Sequence, residues 1–179
     1  HNFLTTHPSV LSKQKIKIKN LHFLFIPVDK NIECFDVSKK RPIKDLFYAM
    51  SHGVNRATLK KGKNDSRIHL LNKIIKKLEN IDCDFYGFQN KEPIWGNDFY
   101  KALIGSKMGL NLSRGLPTKY YSSNRIASLM GNGLLTFVDR KTQLSDIFKK
   151  NEIIFYDNID DLSKKIKFYK KKDNLKMKI

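Results

Sequence analysis

The chain has 179 residues, a formal net charge of +18, and a composition that is 40% apolar and 11% aromatic. That is enough apolar material to build a core, which excludes a chain disordered along its bulk. No apolar run approaches the ~18 residues of a membrane-spanning helix, and no signal-peptide pattern opens the chain. Two cysteines, Cys34 and Cys83, lie far apart in apolar contexts. They imply buried free thiols in a reducing, cytoplasmic setting and are too few for a cysteine metal site.

The basic residues number 35, and all but Arg41, Arg56, Arg67, Arg114, Arg125 and Arg140 are lysine. Proteins that read base sequence depend on arginine forks clustered in one stripe, so no specific nucleic-acid partner is expected. Dispersed lysines on the polar sides of helices form a solvated basic surface. Its electrostatics favour peripheral contact with an anionic membrane, which for a cytoplasmic protein means the inner membrane face.

The first residue is His, and "NFLTTHP" reads as an apolar strand ending at a turn, so the chain is expected to be the C-terminal piece of a longer one. "SVLSKQKIKIKN" is a marginal helix and "LHFLFIPVDK" an apolar strand running into Pro27. Residues 1–29 are therefore read as the end of a preceding domain and a linker, 30–172 as the main domain, and 173–179 as a basic tail.

From Asp45 a regular alternation begins. "LFYAM" is a buried strand, followed by a polar loop over 51–65. "SRIHLLNKIIKKLENI" is a helix with Ile68, Leu71, Ile75 and Leu78 on one face and Asp65 or Ser66 as its cap. "CDFYGF" is a strand, "PIWG" a short further strand, and "NDFYKALIGS" a helix. "KMGLNLS" returns to the sheet, "RGLPTKYY" is a loop, and "SSNRIASLMG" is a helix leading through Gly131 and Gly133 into the strand "LLTFV". "KTQLSDIFKK" is a short helix, "EIIFY" a strand, and "NIDDLSKKIKFYKKK" the closing helix. Repeated strand–helix units with short connections predict an α/β, doubly wound parallel sheet of Rossmann-like form.

In such sheets ligands bind outside the carboxyl ends of the strands. That rule selects "SHGVNRATLKKGK", "GFQNKEPIWG", "SRGLPTKYYSSNR" and "VDRKTQ". In the first, Gly53 permits close backbone approach, Arg56 offers a forked donor, and Lys60, Lys61 and Lys63 add point charges. The glycine spacing fits neither a dinucleotide fingerprint nor a Walker loop. In the third, Ser122, Ser123 and Asn124 are all N-cap types, and Arg125 stands in the first turn, where a cation opposes the helix dipole. Two readings are open: capping alone, or a phosphate seat formed by Ser123, Asn124 and Arg125.

Arg114 and Tyr120 sit in the same third loop. His52 ends a strand, Phe88 offers a ring to a base, and Asp139 offers a carboxylate to a ribose or simply forms a turn. The five histidines have no metal-ligand spacing. Nothing resembles a nucleophile elbow or a hydrolytic acid pair.

"SKMGLNLSRG", then "SSNRIASLMGNGLLTFVDRKTQLSDIF" and "NEIIFYDNIDDLSKKI", together resemble the C-terminal half of group 1 glycosyltransferases of the GT-B fold, closest to the subgroup with the CgeB-like proteins. The likeness spans about residues 44–170. It implies a nucleotide-diphosphate sugar as donor substrate, no cofactor, no bound metal, and a glycan or cell-envelope acceptor held by an N-terminal domain. Donor phosphates would meet Gly53, Arg56, Lys61, Lys63, Ser123, Asn124 and Arg125, with His52, Phe88, Arg114, Tyr120 and Asp139 at the nucleotide or sugar. The catalytic residues are not assigned. Many family members carry two glutamates eight residues apart; this chain has Tyr120 and Ser128 there. That departure keeps a second reading open, a non-catalytic Rossmann-like module that binds a polyanion, a membrane surface or a protein.

Overall fold

The computed structural model describes residues 2–5, 20–51, 58–59, 63–113 and 116–172. Strands β1 (Asn2–Thr5) and β2 (Asn20–Phe23) pair in parallel as a two-stranded sheet. The main unit begins at β3 (Lys44–Ala49). It continues through the small antiparallel pair β4 (Thr58–Leu59) and β5 (Lys63–Asn64), then α1 (Ser66–Ile75) and β6 (Cys83–Tyr86). After these come α2 (Gly96–Ile104), β7 (Ser106–Asn111), α3 (Asn124–Gly131), β8 (Leu135–Asp139), β9 (Ile154–Tyr156) and α4 (Ile159–Lys170). The main sheet is all parallel in the order β6-β3-β7-β8-β9, a doubly wound Rossmann-like α/β arrangement.

Side chains alternate across this sheet with the period of two that strands impose. Leu46 and Tyr48 of β3, Met108 and Leu110 of β7, Leu135 and Phe137 of β8, and Ile154 and Tyr156 of β9 share one core with Leu71 and Ile74 of α1 and Leu162 and Ile166 of α4. On the opposite face Phe47 and Ala49 meet Leu103 of α2 and Leu129 of α3. Val138 and Phe155 meet Ile126 and Met130 of α3 on that same face. Both faces are thus covered, as an all-parallel sheet requires.

Residues 23–37 pack along α3. Phe23 stacks on Tyr120 at 5.1 Å and Phe25 meets Phe148 edge-on at 5.0 Å. Farther on, Asn132 receives the Phe35 amide on Oδ1 (3.1 Å) and the Val37 amide on its carbonyl (2.8 Å). A methyl group at Gly131 would fall 2.6 Å from Val28 Cγ1 and 2.8 Å from Glu33, so the absence of a side chain there is what admits this segment.

Several expectations are corrected. "PIWG" forms no strand and leads instead to the start of α2. Helix α1 ends at Ile75, its chain tightening through i→i−3 bonds at Lys77 and Leu78 before Asn80 turns with φ +62°. "KTQLSDIFKK" is two single 3-10 turns, Arg140–Thr142 and Leu144–Asp146, broken at Gln143 with φ +53°. The Thr142 carbonyl accepts the Tyr120 amide at 2.7 Å, and the Asp146 amide bonds the Gln143 carbonyl at 3.1 Å rather than reaching back to Thr142. Cys34 is exposed and Cys83 only half-buried. The marginal helix lies almost wholly outside the described residues, as does the tail. No helix among the described residues is long and apolar enough to cross a membrane.

Helix α3 comes close to the sheet at Gly109, where a methyl group would sit 2.5 Å from Leu129 Cδ2. Gly109→Ala is expected to destabilise the fold by about 1–3 kcal/mol in denaturant melts, and pairing it with Leu129→Ala should cost less than the sum of the two single changes. Burial, reinforced by Asp45 and Asp82, pushes the Cys83 thiol up to about 12. Alkylation at mildly basic pH should therefore modify Cys34 alone in the folded protein and both thiols in denaturant, read by intact mass.

Candidate functional site

The chain leaves β3 for β6 on one side of the sheet and later returns to β7 on the other. Connections from β3 and β7 diverge to opposite faces, which marks their carboxyl ends as the candidate crevice, the position where ligands bind in sheets of this order. Its edge is formed by Ala49 and Met50 at the end of β3, Asn111 and Leu112 at the end of β7, and the start of α3.

Arg125 bridges this edge. Its Nε donates to the Ala49 carbonyl at 2.8 Å and its Nη1 to the Leu112 carbonyl at 3.0 Å, while its guanidinium carbon lies 4.8 Å over the Tyr48 ring. Carbonyls at the end of a parallel sheet have no further strand partner, so the guanidinium satisfies two acceptors and brings positive charge to the crevice floor. Stacking on Tyr48 fixes its plane.

Helix α3 starts without a side-chain cap. Ser123 occupies the cap position with extended backbone, but its hydroxyl donates to Asn111 Oδ1 at 3.2 Å instead of receiving a helix amide. The capping reading is therefore only half met: the residue is in place and its bond is not. A first turn left this way keeps its partial positive charge turned outward.

Three buried side-chain atoms among the described residues have no hydrogen-bond partner: Tyr48 Oη, Asn111 Nδ2 and Ser122 Oγ. Asn111 is 2% exposed and Ser122 fully buried. All three belong to residues at the β3 and β7 ends or the α3 approach, and each atom can donate a hydrogen bond. Native proteins rarely leave such groups unpaired, so Asn111 Nδ2 and Ser122 Oγ, at the β7 end and the α3 approach, mark where a water or a ligand oxygen belongs, while the Tyr48 hydroxyl lies toward Arg67.

A buried ion pair stands at the start of α1. Asp65 caps the helix by accepting the Arg67 amide at 3.0 Å, and it also holds the Arg67 guanidinium through Nε at 3.0 Å and Nη2 at 2.6 Å. The side chains are 0% and 6% exposed. Burial works against charge on Arg67, yet the Asp65 bonds outweigh it and hold the guanidinium above its ordinary range. The Tyr48 hydroxyl also favours that charge without reaching hydrogen-bond geometry. Nearby, burial and then Asp139 raise the Tyr156 phenol well above its usual value, so it stays neutral.

The sequence-derived candidates are divided by this geometry. Ser123 and Arg125 converge on the crevice beside Asn124, the first residue of α3. Tyr120 takes φ +56°, donates from its hydroxyl to Asp146 Oδ2 at 3.0 Å, and ties its loop to the turns after β8. Asp139 accepts the Lys141 amide at 2.9 Å and caps the first of those turns. Phe88 is 2% exposed in the core, edge-on to Phe85, so its ring is not presented to a base. Lys63 pairs with Leu59 across the small hairpin. His52, Gly53, Arg56, Lys61 and Arg114 lie outside the described residues.

Sequence reasoning missed Tyr48, Asn111 and the Asp65–Arg67 pair. Asn111 had a signal, since it is a polar residue closing the otherwise apolar run "MGLN". No group of three or more His, Cys, Asp or Glu placed to hold a metal occurs among the described residues.

A family model described as glycosyl transferase-like matches residues 66–179, more than half of the chain. Neither a curated protein nor a solved structure matches it.

Removing one member of the buried pair strands the other. Asp65→Ala is expected to cost about 3–5 kcal/mol by urea melting, whereas Asp65→Leu with Arg67→Met should recover most of that loss.

Proposed function

The chain belongs to the glycosyl transferase-like family, and on that premise we propose that its Rossmann-like unit is the donor-binding half of a GT-B-type glycosyltransferase of the group 1, CgeB-like kind. Its ligand is a nucleotide-diphosphate sugar. The observation that carries this reading is two buried donors without partners, Asn111 Nδ2 and Ser122 Oγ, beside an uncapped α3. Donors without acceptors, next to a helix amino end and an arginine, are chemistry for an anion.

In this reading the diphosphate sits at the first turn of α3 over Ser123 and Asn124. Arg125 does not grip it with a free fork, because Nε and Nη1 are committed to the strand-end carbonyls. It acts as a fixed positive charge below the site. Charge developing on the departing nucleoside diphosphate is met by the helix start and this guanidinium, with no requirement for a metal. Gly53, Arg56, Lys61 and Lys63 follow β3 in sequence and complete the phosphate contacts, with His52 and Arg114 beside the nucleotide or sugar. Acceptor binding and the proton transfers of the reaction belong to the acceptor half of such an enzyme. The acceptor is a glycan or cell-envelope component.

Ser128 and Tyr120, which stand where many family members carry glutamate, are both engaged in packing. The Ser128 hydroxyl donates to Glu33 Oε1 at 3.4 Å, and Tyr120 holds Asp146. Ribose and sugar recognition therefore rest on other residues than those acids.

A panel of nucleoside diphosphates should include one that raises the melting temperature, with about 2.7 kcal/mol of stabilisation at a hundredfold excess over Kd. Ser122→Ala, which removes an unpaired hydroxyl, should leave the ligand-free melt nearly unchanged and reduce the shift. Asn111→Asp should abolish it by placing a negative charge behind the phosphates. A well-folded protein that responds to no nucleotide would overturn the proposal.

A further inference from the structure

The side of the molecule away from the crevice carries a second charged surface. The carboxyl end of α4 lies at the amino ends of the strands: Lys170 Nζ pairs with Asp45 Oδ2 at 2.7 Å, and Lys107 Nζ donates to the Lys170 carbonyl at 2.8 Å. Along α4, Leu162, Ile166 and Tyr169 face the core. Lys164, Lys167, Phe168 and Lys171 are exposed at three- and four-residue spacing, which places them on one outward stripe.

The end of α1 extends this stripe sideways. Lys76 and Lys77 border the same open groove, of about 430 Å³, as Ser163, Lys164 and Lys167. Two acids share it, Glu79 and Asp160. Asp160 is paired with Lys77 at 2.6 Å, and that bond holds its carboxyl below the ordinary range. Lys76, Lys164, Lys167 and Lys171 have no ion-pair partner among the described residues. The surface therefore keeps a surplus of positive charge after its own acids are counted.

Phe168 decides what kind of anion fits. It is 50% exposed in the middle of the lysines, with Lys172 Nζ 4.2 Å over its ring and Tyr169 edge-on at 5.1 Å. A nucleic-acid duplex would be held by the lysines through its phosphates alone, its bases stacked inside, and gains nothing from an aromatic ring at their centre. A lipid surface uses both, with headgroup phosphates taking the ammonium groups while the ring enters the interfacial layer. We propose that the α4 stripe Lys164, Lys167, Phe168 and Lys171, extended by Lys76 of α1, is a docking surface for an anionic membrane. Docked this way, the protein rests on its α1–α4 side with the crevice at the opposite end of the strands.

The test is co-sedimentation of the full chain with vesicles of phosphatidylcholine, with and without about 30% phosphatidylglycerol. Binding is expected only to the anionic vesicles and should fall with added salt. Lys164→Glu with Lys167→Glu should abolish it, each lysine lost weakening binding about fivefold. Phe168→Ala, with every lysine intact, should weaken it about tenfold. These side chains are exposed, so the melting temperature and any nucleotide-induced shift should be unchanged, which separates this proposal from the crevice. Equal binding by the charge-reversal variant would overturn it. So would a Phe168→Ala protein that binds vesicles like the parent, or retention of duplex RNA through the same lysines with no vesicle binding.

Discussion

Two carbonyl oxygens at the ends of neighbouring strands, and one guanidinium between them, hold the carboxyl edge of this sheet together. Arg125 spans from the end of β3 to the end of β7, and it does so from the first turn of a helix. That placement resolves an electrostatic conflict. A cation at a helix amino end is unfavourable on its own, but here the charge is drawn downward onto two peptide oxygens and an aromatic face. Lysine would not replace it, because a point charge cannot hold two carbonyls in a fixed plane.

The rest of the crevice depends on this clamp. With Arg125 fixed, α3 can begin directly above the strand ends, and Gly109 lets Leu129 seat against the sheet. Ser123 then turns its hydroxyl to Asn111, which leaves the helix start uncapped and one amide hydrogen pair of Asn111 unused. The Asp65–Arg67 pair keeps a second fixed charge couple at the start of α1, where burial makes its bonds strong and their loss costly. Two arginine charges are thus fixed by folding itself, one at each of these helix starts.

Much of the architecture was legible in the sequence because it follows from local period and punctuation. Runs such as "LFYAM" and "LLTFV" are too apolar and too short for anything but buried strands, and the helices between them show single apolar faces. The turns after β8 were not legible. "KTQLSDIFKK" has helical spacing, and what breaks it is a left-handed Gln143 and a bond from Tyr120, which no local pattern encodes. The site was legible in the same uneven way. Cap-type residues and an ill-placed arginine marked the start of α3, while the acceptors that Arg125 uses depend on how three distant elements meet. Phe88 shows the reverse case, an aromatic in a rim loop whose ring packs inward. Asp65 and Arg67 are two residues apart and read as an ordinary cap; only their burial reveals a charge pair.

The packing of residues 23–37 along α3 has a mechanical meaning. This helix is eight residues long, about 12 Å from end to end, and is gripped at its far end through Gly131 and the two bonds to Asn132. Its near end carries the clamp on the strand edges. So short a rod has little bend in it. Any pull on the incoming segment must either break the Asn132 bonds or tilt the whole helix, and a tilt would strain the guanidinium against its carbonyls.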